Sequence, residues 1–410
     1  MIKNYIKTAW RSLLRNKSYT AINIIGLAIG IAACLLIFLV IHFETSFDNF
    51  HSKKDRIYRV VSASKTPAGF SLGSGVPLPT ANGLRTDFQI KDIAAIFRYG
   101  GHYTVGNNSN GQAVKKFKED DAYYTEPQFF NLFDFAWLAG DKKTALSEPN
   151  TAVLTRSEAN KFFGNWHDAI GKVVRYENKT DLRVTGILED VPANSDFPLK
   201  IVVSYATTQQ KTSDFYGNIK DWVSTFGSHY VFMVLPGNMN VSQFNKDLAA
   251  FTLKHKPAAY NKQGYQLQAL SDMHYNTEVS VFTFHTFGKE LISALGLIGS
   301  FLLIIACVNF INLATAQAVN RSKEVGIRKV LGSNRKQLIS QFISETLIIT
   351  LCAVVLAIGI AEATLPALNN LLQIKLGGNF LAGSLSMAAH SVCRASMLLI
   401  IFAITKSGKT

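Results

Sequence analysis

No cysteine lies between Cys34 and Cys307. The four in the chain, Cys34, Cys307, Cys352 and Cys393, all fall in apolar segments, so the long polar middle has no disulfide framework to hold it together. Charge is also missing, in two places: residues 21–43 and 291–319 contain no Asp, Glu, Lys or Arg. Each stretch exceeds the roughly 20 residues needed to cross a hydrocarbon layer about 30 Å thick, and each therefore reads as a transmembrane helix. Catalytic signatures are absent as well. There is no H-E-x-x-H, C-x-x-C or G-x-S-x-G, and the nine histidines are scattered without metal-ligand spacing. A membrane-anchored enzyme is thereby disfavoured, and His51, His102 and His274 read as ordinary loop or surface residues.

What is present is a basic excess, a formal net charge of +14, placed beside the apolar runs. Lys3, Lys7, Arg11, Arg15 and Lys17 precede the first, and Arg321, Lys323, Arg328, Lys329, Arg335 and Lys336 follow the second. That placement is the positive-inside pattern rather than a nucleic-acid footprint. It sets the N-terminus and the 320–341 segment in the cytoplasm, with everything between the two spans on the other side. No nucleic-acid partner is expected, while contact with membrane lipid is.

The resulting fold class is an α-helical membrane protein carrying a large mixed α/β extracytoplasmic domain between spans 1 and 2. Residues 1–20 read as a cytoplasmic amphipathic helix, with Ile2, Tyr5, Ile6, Ala9, Trp10 and Leu13 on one side of the turn. Residues 21–43 form the first span, 44–290 the exported domain, and 291–319 the second span. Residues 320–341 form a cytoplasmic segment and 342–365 a third span, interrupted only by Glu345 and Glu362 near its ends. The atypical 366–410 segment holds a weak candidate for a fourth, burdened by His390 and Arg394. Within the exported domain, residues 57–62, 183–188 and 229–235 are strand-like, and 157–163 and 241–255 are helix-like. Gly- and Pro-rich stretches at 66–79, 100–111 and 188–198 read as loops.

Gly26 and Gly30 form a G-x-x-x-G in the first span, a spacing that lets two helix backbones approach closely. Asn309 and Asn312 lie one turn apart in the second, where amides knit helices together. The last eight residues fit a loose phosphate-loop pattern ending Ser407-Gly408-Lys409-Thr410, without the following helix such a loop requires. ATP hydrolysis by the chain itself is therefore not expected.

A series of motifs carries a resemblance. Trp10-Arg11-Ser12-Leu13-Leu14-Arg15-Asn16-Lys17 opens the chain, and Phe47-Asp48-Asn49-Phe50-His51 and Asp55-Arg56-Ile57-Tyr58-Arg59-Val60 lead into the exported domain. Then come Phe129-Phe130-Asn131-Leu132-Phe133-Asp134-Phe135, Gly140-Asp141, Ala145-Leu146, Asn150, Phe162-Phe163-Gly164, Ile170-Gly171-Lys172, and Val184-Thr185-Gly186-Ile187-Leu188-Glu189-Asp190-Val191-Pro192. The most specific piece is Arg321-Ser322-Lys323-Glu324-Val325-Gly326-Ile327-Arg328-Lys329-Val330-Leu331-Gly332-Ser333. In this order they resemble the permeases of MacB/FtsX-type ABC transporters, in particular the long forms of Bacteroidota.

The resemblance implies a non-catalytic permease subunit. A cytoplasmic ABC ATPase would dock on Arg321, Lys323, Glu324, Gly326, Ile327, Arg328, Lys329, Leu331 and Gly332, and its motion would be transmitted to the periplasmic domain. No cofactor would be bound directly, since ATP and magnesium belong to that ATPase. A second permease half, in a homo- or heterodimer, is implied, as are periplasmic or outer-membrane partners. The setting would be a bacterial inner membrane and the work efflux or extraction of peptides, drugs or lipoproteins. The likeness covers residues 1–380 and is expected to fail beyond them, as in a half-transporter or an altered C-terminus. The competing reading is a membrane-anchored receptor with an extracytoplasmic ligand-binding domain.

Overall fold

The structure is a computed structural model that describes residues 11, 13–14, 17–67, 69–105, 115–237, 239–260, 262–320, 326–327, 330, 335–374 and 376. It divides into two compact units, residues 46–288 and the flanking segments Met1–Thr45 with Lys289–Thr410.

The flanking unit is helical: α1 (Lys17–Glu44), α7 (Lys289–Asn320) and α8 (Arg335–Leu372). Each holds a stretch long and apolar enough to cross a membrane, Lys17–Glu44, Lys289–Asn312 and Ile343–Leu372, which bear out the three expected spans. α1 packs against both others. Its buried stripe of Leu27, Ala28, Ile31, Ala32 and Leu35 recurs at helical spacing and meets Ala306 and Phe310 of α7 and Ile349, Ala353 and Ala357 of α8. Alanine every fourth residue along α8 lets backbones approach, the packing that works where solvent drives nothing. Apolar side chains also cover the outside, among them Ile22, Ile25 and Ile29 of α1 and Phe301, Ile304 and Ile305 of α7. That surface suits lipid.

The 46–288 unit is built on one mixed sheet. Its strands are β1 (Ile57–Thr66), β2 (Gly69–Gly73), β3 (Ile93–Arg98), β4 (Gly101–Val105), β5 (Lys115–Glu119), β6 (Ala122–Thr125), β7 (Trp137–Ala139), β8 (Thr151–Thr155), β9 (Val173–Tyr176), β10 (Thr180–Leu188), β11 (Ile201–Ser204), β12 (His229–Val234) and β13 (Gln263–Ala269). The spatial order is β13-β1-β12-β3-β6-β11-β8-β10-β9-β4-β5, with β2 on β1 and β7 on β10. Among the described strand pairs, only β6 with β11 and β8 with β10 run parallel. β1 pairs along one side with β13 and along the other with β12 and then β2, from the register Ile57↔Val234 to Thr66↔Gly69.

Strand alternation sorts the side chains into two cores, one on each face. Val231 and Met233 of β12 face one core with Ile93, Ala95 and Phe97 of β3. Tyr230, Phe232 and Val234 face the other with Ala94 and Ile96. Both faces are covered, so the central strands read as unbroken apolar runs rather than alternating ones. Over the first face lie α2 (Thr80–Phe88), α4 (Arg156–Phe163) and α5 (Val241–His255), through Leu84, Phe162 and the Phe244, Leu248, Phe251 stripe. Over the second lie the short helices α3 (Phe129–Leu132) and α6 (Leu270–Met273).

The expected strands at 57–62, 183–188 and 229–235 fall within or beside β1, β10 and β12, and the expected helices coincide with α4 and α5. Two Gly-rich stretches read as loops contain strands instead, β2 and β4. Glycine serves packing there, because a Cβ on Gly101 would stand 2.5 Å from Tyr176 Cε2. Of the expected amphipathic helix, residues 1–10 lie outside the described residues, and 17–20 belong to α1. The weak fourth span and the terminal phosphate-loop look-alike also lie outside them.

Candidate functional site

Three groups of residues bear on function: the helix contacts of the flanking unit, the 320–341 segment, and the polar framework of the 46–288 unit. Gly30 sits against α7, where an added Cβ would fall 2.5 Å from the Ala306 Cβ. Gly26, one turn away, would meet nothing within 4 Å. The G-x-x-x-G is therefore split between an internal contact and an open face. Asn309 and Asn312 of α7 are exposed rather than packed inside this chain. In the 320–341 segment, Gly326 and Ile327 are helical and exposed. Arg321, Lys323, Glu324, Arg328, Lys329, Leu331 and Gly332 lie outside the described residues.

The motifs of the 46–288 unit prove to be mutual anchors. The chain arrives through Phe47-Asp48-Asn49-Phe50-His51 and docks on the aromatic run 129–135, whose Phe129, Phe133 and Phe135 are buried. His51 Nδ1 accepts from the Asp134 backbone N–H at 3.0 Å, and Asp134 Oδ2 accepts from Ser52 N–H at 2.6 Å. Lys53 Nζ reaches the Asn131 carbonyl at 2.8 Å. Farther along, Asp190 caps α4 by accepting from Ser157 N–H at 2.9 Å. Gly140, at φ +88°, lies so close to the Thr185 carbonyl that a Cβ would stand 2.5 Å from it.

One loop, residues 194–197, gathers both ends of the unit. Asp48 accepts from Ser195 Oγ at 2.6 Å and from Asp196 N–H at 3.1 Å, and Asn194 Nδ2 donates to the Ser46 carbonyl at 3.1 Å. Asp196 Oδ1 lies 3.2 Å from both His274 Nδ1 and Thr283 Oγ1, on the outgoing segment. Phe47 stacks on His274 at 3.6 Å. Burial, with Asp196 adding to it, pushes the Asp48 carboxyl up to about 7. His51 and His274 lie outside helices and strands, as one of the two expectations had it, but at 1% and 3% exposure they are buried rather than on the surface. The Nδ1 of each meets a partner distant in sequence, Asp134 for His51 and Asp196 for His274, which no local pattern signals, while His51 Nε2 is buried without a hydrogen bond. His102 is exposed and pairs with Glu177 at 3.1 Å.

Arg59 is fully buried at 0% exposure. Nε and Nη2 donate to Gln268 Oε1 at 3.0 and 2.6 Å, Nη1 donates to the Ser280 carbonyl at 2.8 Å, and the guanidinium lies 4.6 Å from the Tyr230 ring centre. Burial lowers its pKa to about 10, still charged at neutral pH. His229 is also sealed in, with Nδ1 at 2.8 Å from the Val76 carbonyl and Nε2 at 3.0 Å from Tyr205 Oη. Burial holds it down at about 4. A histidine so depressed must take up a proton on unfolding as pH falls below its ordinary value of 6.5. Its contribution to stability is complete above that value and is lost toward pH 4. The slope of unfolding midpoint against pH over this window should therefore flatten in His229→Asn relative to the unaltered chain.

The surface of the unit carries a cleft of about 590 Å³ between α2, the 205–222 segment and the end of α5. There Trp222 stacks on His255 at 4.2 Å, and Asp87 accepts from Lys254 at 2.7 Å and meets His255 at 2.9 Å. The lysine first, then the histidine, holds the Asp87 carboxyl below its ordinary range.

Three apolar helices flanking a large α/β unit define a multi-span membrane protein with an inserted domain between its first two spans. Residues 20–251 match the MacB-like periplasmic core domain family and residues 296–406 match the FtsX-like permease C-terminal family. The chain belongs to the family of MacB/FtsX-type ABC transporter permeases. The second match runs to residue 406, past residue 380, where the likeness was expected to end.

The chain is 23% identical over 381 residues to the pyoverdine export ATP-binding/permease protein PvdT of Pseudomonas syringae pv. syringae (strain B728a), covering 88% of this chain and 52% of that protein. It is 21% identical over 427 residues to the macrolide export ATP-binding/permease protein MacB of Salmonella paratyphi A (strain ATCC 9150 / SARB42), covering 97% of this chain and 57% of that one. The chain thus spans about half the length of the curated relatives it matches. A solved domain of a putative permease protein from Porphyromonas gingivalis superposes with a TM-score of 0.44 at 18% identity, covering 53% of this chain and 91% of that one.

Proposed function

We propose that this chain serves as the permease part of an ABC transporter that exports or extracts molecules from the periplasmic side. The observation that carries the proposal is the succession of the two family matches along one chain, periplasmic core first and FtsX-like permease second. Relatives named for macrolide and pyoverdine export support an export role. In this reading ATP and magnesium are handled by an ATPase subunit, and the chain binds no cofactor itself. The N-terminus and the 320–341 segment are cytoplasmic, by the charge placement. The ATPase docks on residues 321–332, and its closure shifts the spans and through them the periplasmic domain.

A second permease half completes the assembly. Outward-facing Asn309 and Asn312 favour it, because amides on an otherwise apolar span are costly against lipid and are met by another helix. The test is co-purification in mild detergent with an ABC ATPase encoded beside the gene. The native chain should retain it, and a chain carrying Glu324→Lys, Arg328→Glu and Lys329→Glu should lose it. Equal retention by both would remove the docking segment from the proposal, and retention by neither would move the receptor reading forward.

A further inference from the structure

A second, smaller cleft of about 260 Å³ opens beside the β9–β10 turn. Four rings line it among polar residues such as Thr207, Gln210 and Ser213: Tyr99 follows β3, Tyr124 lies on β6, Tyr176 ends β9, and Phe215 belongs to the 205–222 segment. Phe215 stands edge-on to Tyr99 at 4.7 Å and lies 6.5 Å from Tyr124, and Tyr99 lies 6.4 Å from Tyr176. Among the described residues, the hydroxyls of these three tyrosines have no hydrogen-bond partner, although Tyr124 is only 7% exposed. None of the three is among the hydroxyls sealed from solvent, so each remains open to water or to a molecule that enters the cleft they line.

The charge of the cleft says what that is. Asp214 lines it and makes no ion pair among the described residues. Glu177 lines it too, fixed by the His102 backbone N–H at 2.7 Å. Both carboxylates lie close enough to add to burial in raising the Tyr176 pKa. Lys179 is the one cation among the described lining residues. An anion would meet two carboxylates, whereas a cation would be drawn by them and by any ring face it approached.

We propose that this cleft binds the protonated amine head group of an arylalkylamine. The ammonium N–H groups donate to the tyrosine hydroxyls and to Asp214, and the adjoining apolar part lies against Phe215. The volume is below the roughly 300–1,000 Å³ of pockets that enclose a whole drug-sized molecule, so the cleft takes a head group and leaves the remainder outside. As a feature of transport this deepens the permease reading and rests on it, by making amine-bearing molecules the substrate class. Binding itself requires no ATPase.

The experiment uses the full chain in detergent and protonated benzylamine as probe, followed by saturation-transfer NMR, with benzyl alcohol and benzoate as neutral and anionic comparators. Benzylamine should bind at millimolar concentration and outcompete both by about tenfold. Asp214→Asn, with its unfolding midpoint unchanged, should weaken benzylamine by about tenfold and leave benzyl alcohol unaffected. Tyr176→Phe, which keeps the ring, should weaken benzylamine by a smaller factor. Absence of millimolar binding, equal binding of benzyl alcohol, or undiminished binding by Asp214→Asn would each overturn the proposal. Any of these results would leave ATPase co-purification untouched, so the two readings fail separately.

Discussion

Gly30→Leu should prevent the close approach of α1 and α7 and sharply lower the thermal unfolding midpoint of the flanking helices in detergent. The reason is geometric: even a methyl at this position would stand 2.5 Å from the Ala306 Cβ, and Leu302 O lies 3.8 Å away. Neither α1 nor α7 has a flexible side-chain end at that point to move aside. Overpacking a well-filled contact costs about 1–3 kcal/mol, and a leucine facing a methyl on a rigid helix belongs at or above the upper end. Gly26→Leu is the control, since its Cβ would meet nothing within 4 Å. It should leave the unfolding midpoint of the single chain unchanged. If it instead reduces the size of a larger assembly measured by mass photometry, the open face of α1 belongs to a contact with a second permease half. Equal midpoints for Gly30→Leu and the unaltered chain would mean that α1 and α7 do not pack as described.

Arg59→Ala should cost about 3–5 kcal/mol of the stability of the 46–288 unit, read by urea unfolding of the full chain through tryptophan fluorescence. The side chain is buried without remainder and holds three acceptor contacts at 2.6 to 3.0 Å. Truncation strips donors from Gln268 Oε1 and the Ser280 carbonyl, removes the cation over Tyr230, and takes one positive charge from the neighbourhood of Asp196. Arg59→Lys should recover only part of the loss, because a single ammonium cannot reproduce the planar fork. Arg59→Ala that unfolds at an unchanged urea midpoint would show that the network is not a stability determinant.

Much of the architecture was legible in the sequence because membranes and exported domains impose long-range segregation. Uncharged runs at 21–43 and 291–319 stand out against any background, and they fall within α1 and α7. α5 was readable to the residue because its Phe244, Leu248 and Phe251 recur at helical spacing and Asn240 caps it by accepting from Ser242 N–H. What could not be read is contact between distant segments. Nothing near His51 or His274 announces that it will be buried, since their partners Asp134 and Asp196 lie far away in the chain. Arg59 sits in a strand-like run where period-2 alternation predicts only a face, and its acceptors come from residues 268 and 280. The tyrosine cleft was invisible for the same reason. Tyr99, Tyr124 and Tyr176 are separated along the chain and are brought near one another by the pairing of β3 with β6 and of β4 with β9, and Phe215 joins them from the 205–222 segment. The aromatic run 129–135, by contrast, was recognised as a motif without its cause, which is the floor it provides for the incoming segment.

The 194–197 loop gives the 46–288 unit a short load path. A pull on the chain at Ser46 reaches Asn194 and Asp48, and a pull at Thr283 reaches Asp196, two residues farther along the same loop. Force therefore passes from one terminus to the other through a few side-chain bonds, bypassing the breadth of the sheet. The two ends of the unit are fastened to one bracket, so a load applied at either end is taken up there before it reaches the strands.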